Sequence, residues 1–484
     1  MCGIAFGWPG YRDSGRRSTL DSLSPEPDRG EMITRRKIRL ADIVLVCSGV
    51  ACLLALFYCV YWYVWTQERE FTGAADIIIK IALPGLLGTV LLASLRFRSQ
   101  YRVHLAIFCI SSLLFVYSAE LLLSFGPHVD TGTNLEVVSE LRSRGIDAVP
   151  APFPSALMDL QRDGNLNSGA VLPLGGIAKK LTVLCNETGE WITYKSDEHG
   201  FNNPEGVWQS RDISIAAVGD SFVFGKCVPS DKNVVALIWR NYPATLNLGM
   251  NGAGPLKALA AVKEYLPHFK PKVTLWFYFE LNDLADLAQE TRSGLLKRYL
   301  KGNFNQGLIT RQTEIDQVLS HYADRKIAEA NNRGAYLKDT LNIIKLSTVR
   351  TKAGLVSGTS KAESDELHIK LFREVLQDAR DFVDTWNGML YFVYLSAWQR
   401  YIGRRATSVD RDAILDLVRG LNIPVIDIHQ AFQAHGDPLR LFPFRQQGHY
   451  NEEGHRLVAE TVLRHLSLHS SSSATARGLR RKTD

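Results

Sequence analysis

The residues whose types could do chemistry are a serine, two histidines, a glycine-rich segment and an asparagine. Ser221 ends the tripeptide GDS, and a serine hydroxyl can act as a nucleophile when a base accepts its proton. His449 and His455 lie in the segment GHYNEEGH, where either could be such a base. The segment GMNGAG, which contains Gly252, lets a backbone N–H approach a ligand closely. Asn282, in the segment FELND, offers a side-chain amide.

The elements that must position these residues are parallel strands. Short apolar runs bounded by loops predict buried strands at 213–219, 244–249, 273–280, 389–396 and 423–429. Helical segments, such as 231–242 and 256–266, lie between them. Strands that alternate with helices predict a parallel sheet covered by helices on both faces. We therefore expect an α/β domain over residues 212–467.

The residues that could do chemistry follow the carboxyl ends of these strands, where open α/β sheets form their sites. Ser221 follows the first strand, Gly252 follows the second and Asn282 follows the third, whereas His449 lies downstream of the fifth. The sequence therefore predicts that the four residues meet at one edge of the sheet. The serine does not stand in a GxSxG elbow, because Val223 replaces the second glycine.

Ser, Gly, Asn and His in this order resemble the SGNH (GDSL-type) hydrolase superfamily, and the resemblance covers about residues 212–467. It implies a three-layer, flavodoxin-like fold with Ser221 as the nucleophile and His449 as the general base. It also implies an oxyanion hole formed by the backbone N–H groups of Ser221 and Gly252 and by the Asn282 amide. Acyl transfer needs such a base and such donors.

Two positions depart from the pattern of that superfamily. Leu281 stands where the superfamily often has glycine, and Gln446 stands where it usually has an aspartate, three residues before the histidine. Three groups could orient His449 in its place: the amide oxygen of Gln446, the carboxylate of Asp437, or a backbone carbonyl in the turn. We expect a Ser–His dyad without a local aspartate, and Asp437 is the second choice.

A metal site is the competing interpretation of the region around His449. The candidate ligands are His449, Glu452, Glu453 and His455. The order H-E-x-x-H is absent, and the start of a helix would separate the two histidines by more than one turn. We therefore predict no metal and no cofactor, and we place His455 on a helix face.

Three apolar stretches in the N-terminal quarter predict three transmembrane helices within residues 40–125, after a polar tail at 1–39. The stretches are 41–65, which is uncharged after Asp42, 77–95, which carries Lys80 and Pro84, and 105–125, which carries Glu120. Basic residues flank them unevenly, with the run TRRKIR before the first and three arginines between the second and third. By the positive-inside rule, the N-terminus is cytoplasmic and the chain after residue 125 lies outside the plasma (inner) membrane. Cys185 and Cys227 would then face an oxidising compartment and could form a disulfide.

The remaining segments and the composition complete the predicted organisation. Residues 126–211 are expected to connect membrane and domain, 285–365 to form a helical insertion as a cap or side lobe, and 468–484 to be a disordered tail. With 46% hydrophobic and 22% charged residues, the chain is that of a folded protein. Its net charge of +6 sits largely at the two ends, which argues against a nucleic-acid-binding groove.

Together these features predict a membrane-anchored, extracytoplasmic serine esterase or O-acyltransferase that forms an acyl-Ser221 intermediate. By analogy with the superfamily, its substrate is an acylated carbohydrate of the cell envelope or one that is exported. The alternative is a catalytically inactive carbohydrate-binding or scaffolding component of an envelope polysaccharide assembly, which the missing aspartate favours. The sequence does not identify a membrane partner protein.

Overall fold

A computed structural model of the chain describes residues 29–65, 78–124, 133–152, 171–210, 212–332, 362–403 and 409–480. The chain divides into two compact units, Met1–Ser118 and Ala119–Asp484. Each unit is described by itself.

The described residues of the N-terminal unit form the α-helices α1 (Arg29–Trp65) and α2 (Leu83–Ala93) and most of α3 (Ser99–Ser124). Within the described part of the chain, two of them are long and apolar enough to cross a membrane, over Met32–Tyr61 and Ser99–Leu122. The middle stretch forms only a shorter apolar helix, so the prediction of three such helices is wrong. A π-helical turn at Ile78–Ala82 precedes α2, Pro84 lies in its first turn, and a 3-10 turn at Ser94–Arg96 ends it.

The region expected to be a mere connector has a small sheet of its own. Helix α4 (Asn134–Ser143) precedes three strands, β1 (Ala148–Pro150), β2 (Leu181–Cys185) and β3 (Ile192–Lys195). Strand β2 pairs parallel to β1 and antiparallel to β3. The β2–β3 connection contains Glu187, which becomes important at the site. Phe201 and Trp208, further along, are buried in the main core, so this region is part of the large unit.

The main sheet has five parallel strands, and the predicted α/β class is confirmed. The strands are β4 (Ile215–Gly219), β5 (Thr245–Gly249), β6 (Val273–Phe279), β7 (Met389–Leu395) and β8 (Val425–Asp427). Their spatial order is β5-β4-β6-β7-β8. This order places β5 on one side of β4 and all later strands on the other, so the direction in which successive strands are added to the sheet reverses at β4. In parallel sheets such a switch point creates a crevice beyond the carboxyl ends of the strands.

Helices cover both faces of this sheet because its side chains alternate between two cores. They are α5 (Ser221–Phe224), α6 (Val234–Trp239), α7 (Pro255–Phe269), α8 (Asp283–Glu290), α9 (Gly294–Arg298), α10 (Gln312–Asn332), α11 (Ala362–Asp384), α12 (Arg411–Gly420), α13 (Ile428–Ala434) and α14 (Glu452–Arg480). Ala216 and Val218 face the core that includes α7, α11 and α12. Ile215 and Ala217 face the core that includes α6, α13 and α14. The result is three layers.

The described parts of the predicted insertion pack onto one of these cores instead of forming a separate lobe. Leu296, Tyr299 and Ile315 are buried together with residues of α7. Residues 333–361 of the insertion lie outside the described residues. The tail expected to be disordered continues α14 as far as Arg480, since the segment contains no proline to end the helix.

Candidate active site

Ser221 sits at a tight turn between β4 and α5, and its neighbours explain why. Asp220 caps the helix, because its Oδ1 atom accepts the Phe222 N–H at 2.9 Å. Gly219 has φ 153°, and a Cβ at this position would lie 2.8 Å from Val223 Cγ2 and 3.0 Å from the Phe277 carbonyl oxygen. Only glycine fits there. The GDS tripeptide thus builds a turn that places Ser221 at the carboxyl end of a central strand.

The structure brings Ser221 and His449 together. The Ser221 Oγ atom lies 2.9 Å from His449 Nε2. The ring of Phe222 packs against the imidazole, with ring centroids 4.9 Å apart. Next to the histidine, the buried Tyr450 donates its hydroxyl hydrogen to the Ser396 carbonyl at 2.6 Å. The imidazole is therefore held by packing against Phe222 as well as by its hydrogen bond to Ser221.

The opposite nitrogen of His449 is hydrogen-bonded to Glu187. Its Nδ1 atom lies 2.6 Å from Glu187 Oε1, and its backbone N–H donates to Oε2 at 2.8 Å. A carboxylate oxygen only accepts, so Nδ1 carries the proton in this pair. The lone pair of Nε2 then faces the Ser221 hydroxyl, which is the tautomer that a general base requires.

Electrostatics keeps Glu187 charged. Burial acts to raise the pKa of its carboxyl, but the hydrogen bonds and charge of His449 outweigh burial, and Lys226 adds to their effect. The pKa of Glu187 therefore lies below its ordinary value of 4.5. At neutral pH the carboxylate is ionised and can stabilise a positively charged imidazole.

None of the three expected orienting groups, Gln446, Asp437 or a backbone carbonyl of the turn, occupies this position. The Asp437 carboxylate instead accepts two hydrogen bonds from Arg445, at 2.8 and 3.0 Å. Gln446 is exposed. The expected Ser–His dyad is thus corrected to a line of three residues, Ser221, His449 and Glu187. Sequence reasoning missed Glu187 because it lies in the β2–β3 connection, in a region that has no strand of the main sheet.

A disulfide is the one sequence signal that could have pointed to Glu187. Cys185 and Cys227 are bonded, with their Cα atoms 5.4 Å apart. Cys185 lies two residues before Glu187, and Cys227 lies shortly after the helix that begins with Ser221. A bond between these two cysteines brings the β2–β3 connection to the serine.

Gly252 and Asn282 follow the two strands that flank β4, so both lie at the same edge of the sheet as Ser221. Gly252 has φ 67° in a turn where the Ala253 N–H donates to the Met250 carbonyl at 3.2 Å. The turn is tied to the end of β4 by the hydrogen bond from the Met250 N–H to the Gly219 carbonyl. A backbone N–H and a side-chain amide are thereby placed on the two sides of the serine turn.

The Asn282 amide is held by two carboxylates. Its Nδ2 atom donates to Asp286 Oδ2 at 2.9 Å and lies 3.4 Å from Asp220 Oδ2. Burial raises the pKa of Asp286 to about 6 and that of the nearby Glu290 to about 7.

The residues considered as a metal site are not brought together. His455 is buried, accepts the Val234 N–H at its Nδ1 atom at 3.2 Å, and has its pKa lowered to about 3 by burial. Glu453 pairs with His435 and Arg440, and Glu452 pairs with Lys232. Each candidate other than His449 is therefore engaged in a different contact.

Another trio, Glu187, Cys227 and His449, has its possible ligand atoms within 4.8 Å of one another. The sulfur of Cys227 is committed to the disulfide, and Glu187 and His449 are bonded to each other. A cysteine binds a metal as a free thiolate, and a histidine binds it through the lone pair of a ring nitrogen. This arrangement therefore fits a hydrogen-bonded acid–base pair better than a metal centre.

The chain matches no protein-family model, and no curated protein matches it either.

Proposed function

We propose that this protein is a membrane-anchored serine esterase or O-acyltransferase of the SGNH type. The observation that carries the proposal is the line of hydrogen bonds from Glu187 through His449 to Ser221, with distances of 2.6 and 2.9 Å. A hydroxyl, an imidazole and a carboxylate in this order form the arrangement that activates serine nucleophiles on several unrelated folds.

The geometry suggests a defined sequence of steps. His449 Nε2 takes the Ser221 proton while Oγ attacks the acyl carbonyl carbon, and Glu187 stabilises the resulting imidazolium. The N–H groups of Ser221 and Gly252 and the Asn282 amide stabilise the oxyanion. The bond to the alcohol then breaks, the alcohol oxygen takes the proton from Nε2, and an acyl-Ser221 ester is left. Water or a sugar hydroxyl next loses its proton to His449 Nε2 and attacks that ester. The bond from the acyl carbon to Ser221 Oγ breaks, and Oγ takes the proton from Nε2, which restores the free serine.

The strand order supports the choice of class. A parallel sheet of order β5-β4-β6-β7-β8 corresponds to the order 2-1-3-4-5 of flavodoxin-like folds, which the resemblance to the SGNH superfamily implies. In such sheets ligands bind beyond the carboxyl ends of the strands near the switch point. Ser221 and Asn282 follow the two strands that adjoin this point, β4 and β6.

The proposed location is the outer side of the plasma (inner) membrane. A structural disulfide favours an oxidising compartment for the large unit, and the basic run TRRKIR near the start of α1 favours a cytoplasmic N-terminus. Both hold only if the chain crosses the membrane an odd number of times, and a fusion reporter tests this. A reporter fused after residue 130 that is active only outside the cytoplasm would support this topology, and a reporter active inside would reject it. The proposed substrate, an acylated envelope or exported carbohydrate, follows from this location and from analogy.

The non-catalytic carbohydrate-binding alternative loses its main support. That alternative depended on the absence of an acid for His449, and Glu187 occupies the required position. Hydrolysis of a model acetyl ester by the purified full-length protein separates the two. We expect turnover that is lost in Ser221→Ala, since the residue is the attacking group. Equal rates in the two folded proteins would reject the enzyme.

A further inference from the structure

We propose that the Cys185–Cys227 disulfide is a positioning element of the active site, which holds Glu187 against His449. The inference rests on the proposed function. It assigns to the disulfide a role in the acid–base chemistry, in addition to the stability that any cross-link gives.

The first observation is that Glu187 lies outside the paired part of β2 and β3. Their pairing ends at Cys185 and Ile192, with an irregular register between Val183 and Cys185. Glu187 lies beyond that end, in the connection. Within this connection the Gly189 N–H donates to Asn186 Oδ1 at 2.8 Å, which closes a local turn but does not tie it to the main sheet. The disulfide provides a covalent tie two residues from the acid.

The second observation is what the disulfide is attached to. Cys227 lies in the segment after α5, with φ 67°. In the same segment the Lys226 N–H donates to the Ser221 carbonyl at 3.0 Å. Cys227, to which the disulfide ties the segment of Glu187, therefore directly follows Lys226, whose backbone N–H is hydrogen-bonded to the backbone of Ser221. Two connections therefore fix Glu187 relative to Ser221: one runs through the disulfide, and the other through His449.

The third observation is how little room the carboxylate has. A Cβ atom at Gly448 would lie 2.8 Å from Glu187 Oε2, so the acid approaches the backbone next to His449 closely. Such a bidentate contact tolerates little displacement, because a hydrogen bond weakens steeply with distance and angle. Together the three observations close a ring: Ser221, His449, Glu187, the disulfide and the segment back to Ser221.

The kinetic test uses four full-length proteins: wild type, Cys185→Ser/Cys227→Ser, Glu187→Gln, and the variant with all three changes. If the disulfide acts through Glu187, removing it should lower kcat/KM for a model ester by about a hundredfold in wild type. In the Glu187→Gln background, removing the disulfide should lower kcat/KM by less than about threefold, because the contact that the disulfide supports is already weakened there. Equal fold losses in both backgrounds would overturn the proposal, since general destabilisation acts on both alike.

A spectroscopic measurement makes the test independent of turnover. The His449 Nδ1 proton in its short hydrogen bond to Glu187 should give a far-downfield proton resonance that Glu187→Gln and His449→Ala both abolish. We expect the resonance to be lost or strongly shifted in Cys185→Ser/Cys227→Ser. An unchanged resonance there overturns the positioning role. Absence of ester turnover in all four proteins would instead count against the proposed function, while the resonance would still report on the acid.

Reduction of the folded wild-type protein is the second route, which serves if the double serine variant does not fold. Treatment with a phosphine, with cleavage of this disulfide verified by mass spectrometry, should produce the same loss of activity and of the resonance. In the described part of the N-terminal unit, Cys47, Cys52, Cys59 and Cys109 are already free thiols and so give no such response. Full activity and an unchanged resonance after verified reduction would overturn the proposal.

Discussion

The Oε1 atom of Glu187 lies 2.6 Å from the Nδ1 atom of His449, although 262 positions separate the two residues in the sequence. The same carboxylate accepts the backbone N–H of His449. The acid of the site therefore comes from the connection between two strands of the small sheet. The segment directly before the histidine does not supply it.

The first prediction concerns this acid. Glu187→Gln keeps the shape of the side chain but removes its charge, so the imidazolium that forms during attack loses its stabilising partner. We expect kcat/KM for a model ester to fall by about a thousandfold or more. Steady-state hydrolysis by the purified full-length protein measures it. Asp437→Asn and Gln446→Asp are matched controls that should stay near wild type, because neither residue contacts Nδ1. A loss in Asp437→Asn as large as that in Glu187→Gln would contradict the assignment.

The second prediction concerns the close approach at Gly448. In Gly448→Ala the added methyl group would meet Glu187 Oε2 at 2.8 Å, so the carboxylate must move away from His449. We expect kcat to fall by about tenfold to a hundredfold with little change in melting temperature. Gly420→Ala is the control, since a Cβ there meets no atom within 4 Å. Wild-type turnover in Gly448→Ala would show that the contact has no catalytic importance.

The third prediction is a pH dependence of stability. Burial opposes the ionisation of Glu187, but the contacts with His449 hold its pKa in the folded protein below the ordinary 4.5. A lowered carboxyl pKa stabilises the folded state above the unfolded-state pKa, and this contribution is lost as the pH falls through the folded-state pKa. Thermal unfolding should therefore show wild type more stable than Glu187→Gln at neutral pH, with the difference vanishing below pH 4.5. A difference that grows as the pH falls below 4.5, or that vanishes already near pH 6, would disagree with this sign.

The fourth prediction concerns Asn282. Its amide is the proposed side-chain donor to the oxyanion, so Asn282→Ala should lower kcat by about a hundredfold to a thousandfold with a small effect on KM. Asp286→Asn should cost less, because Asp286 only holds the amide through a 2.9 Å hydrogen bond. The exposed Asn241 provides a matched control in Asn241→Ala, which should turn over like wild type. Unchanged kcat in Asn282→Ala would remove the residue from the oxyanion hole.

The predictable parts of this molecule are those that local patterns determine. Apolar runs identified all five strands of the main sheet, and the position of Ser221 after β4 followed from the glycine that allows the turn. Glu187 could not be found in this way, because its role depends on a contact between distant segments. The middle apolar stretch misled for a related reason. Its composition resembles a membrane span, whereas the π-helical turn, Pro84 and the 3-10 turn restrict its regular α-helix to Leu83–Ala93.

The nucleophile is tested most directly by covalent labelling with a fluorophosphonate, which reacts with an activated serine hydroxyl. Full-length wild-type protein should incorporate one label, and peptide mass spectrometry should locate it at Ser221. His449→Ala should react at least about a thousandfold more slowly, because the hydroxyl then lacks the base at 2.9 Å. Folded wild-type protein that takes up no label, or that is labelled as fast as Ser221→Ala, would contradict a serine nucleophile at this position.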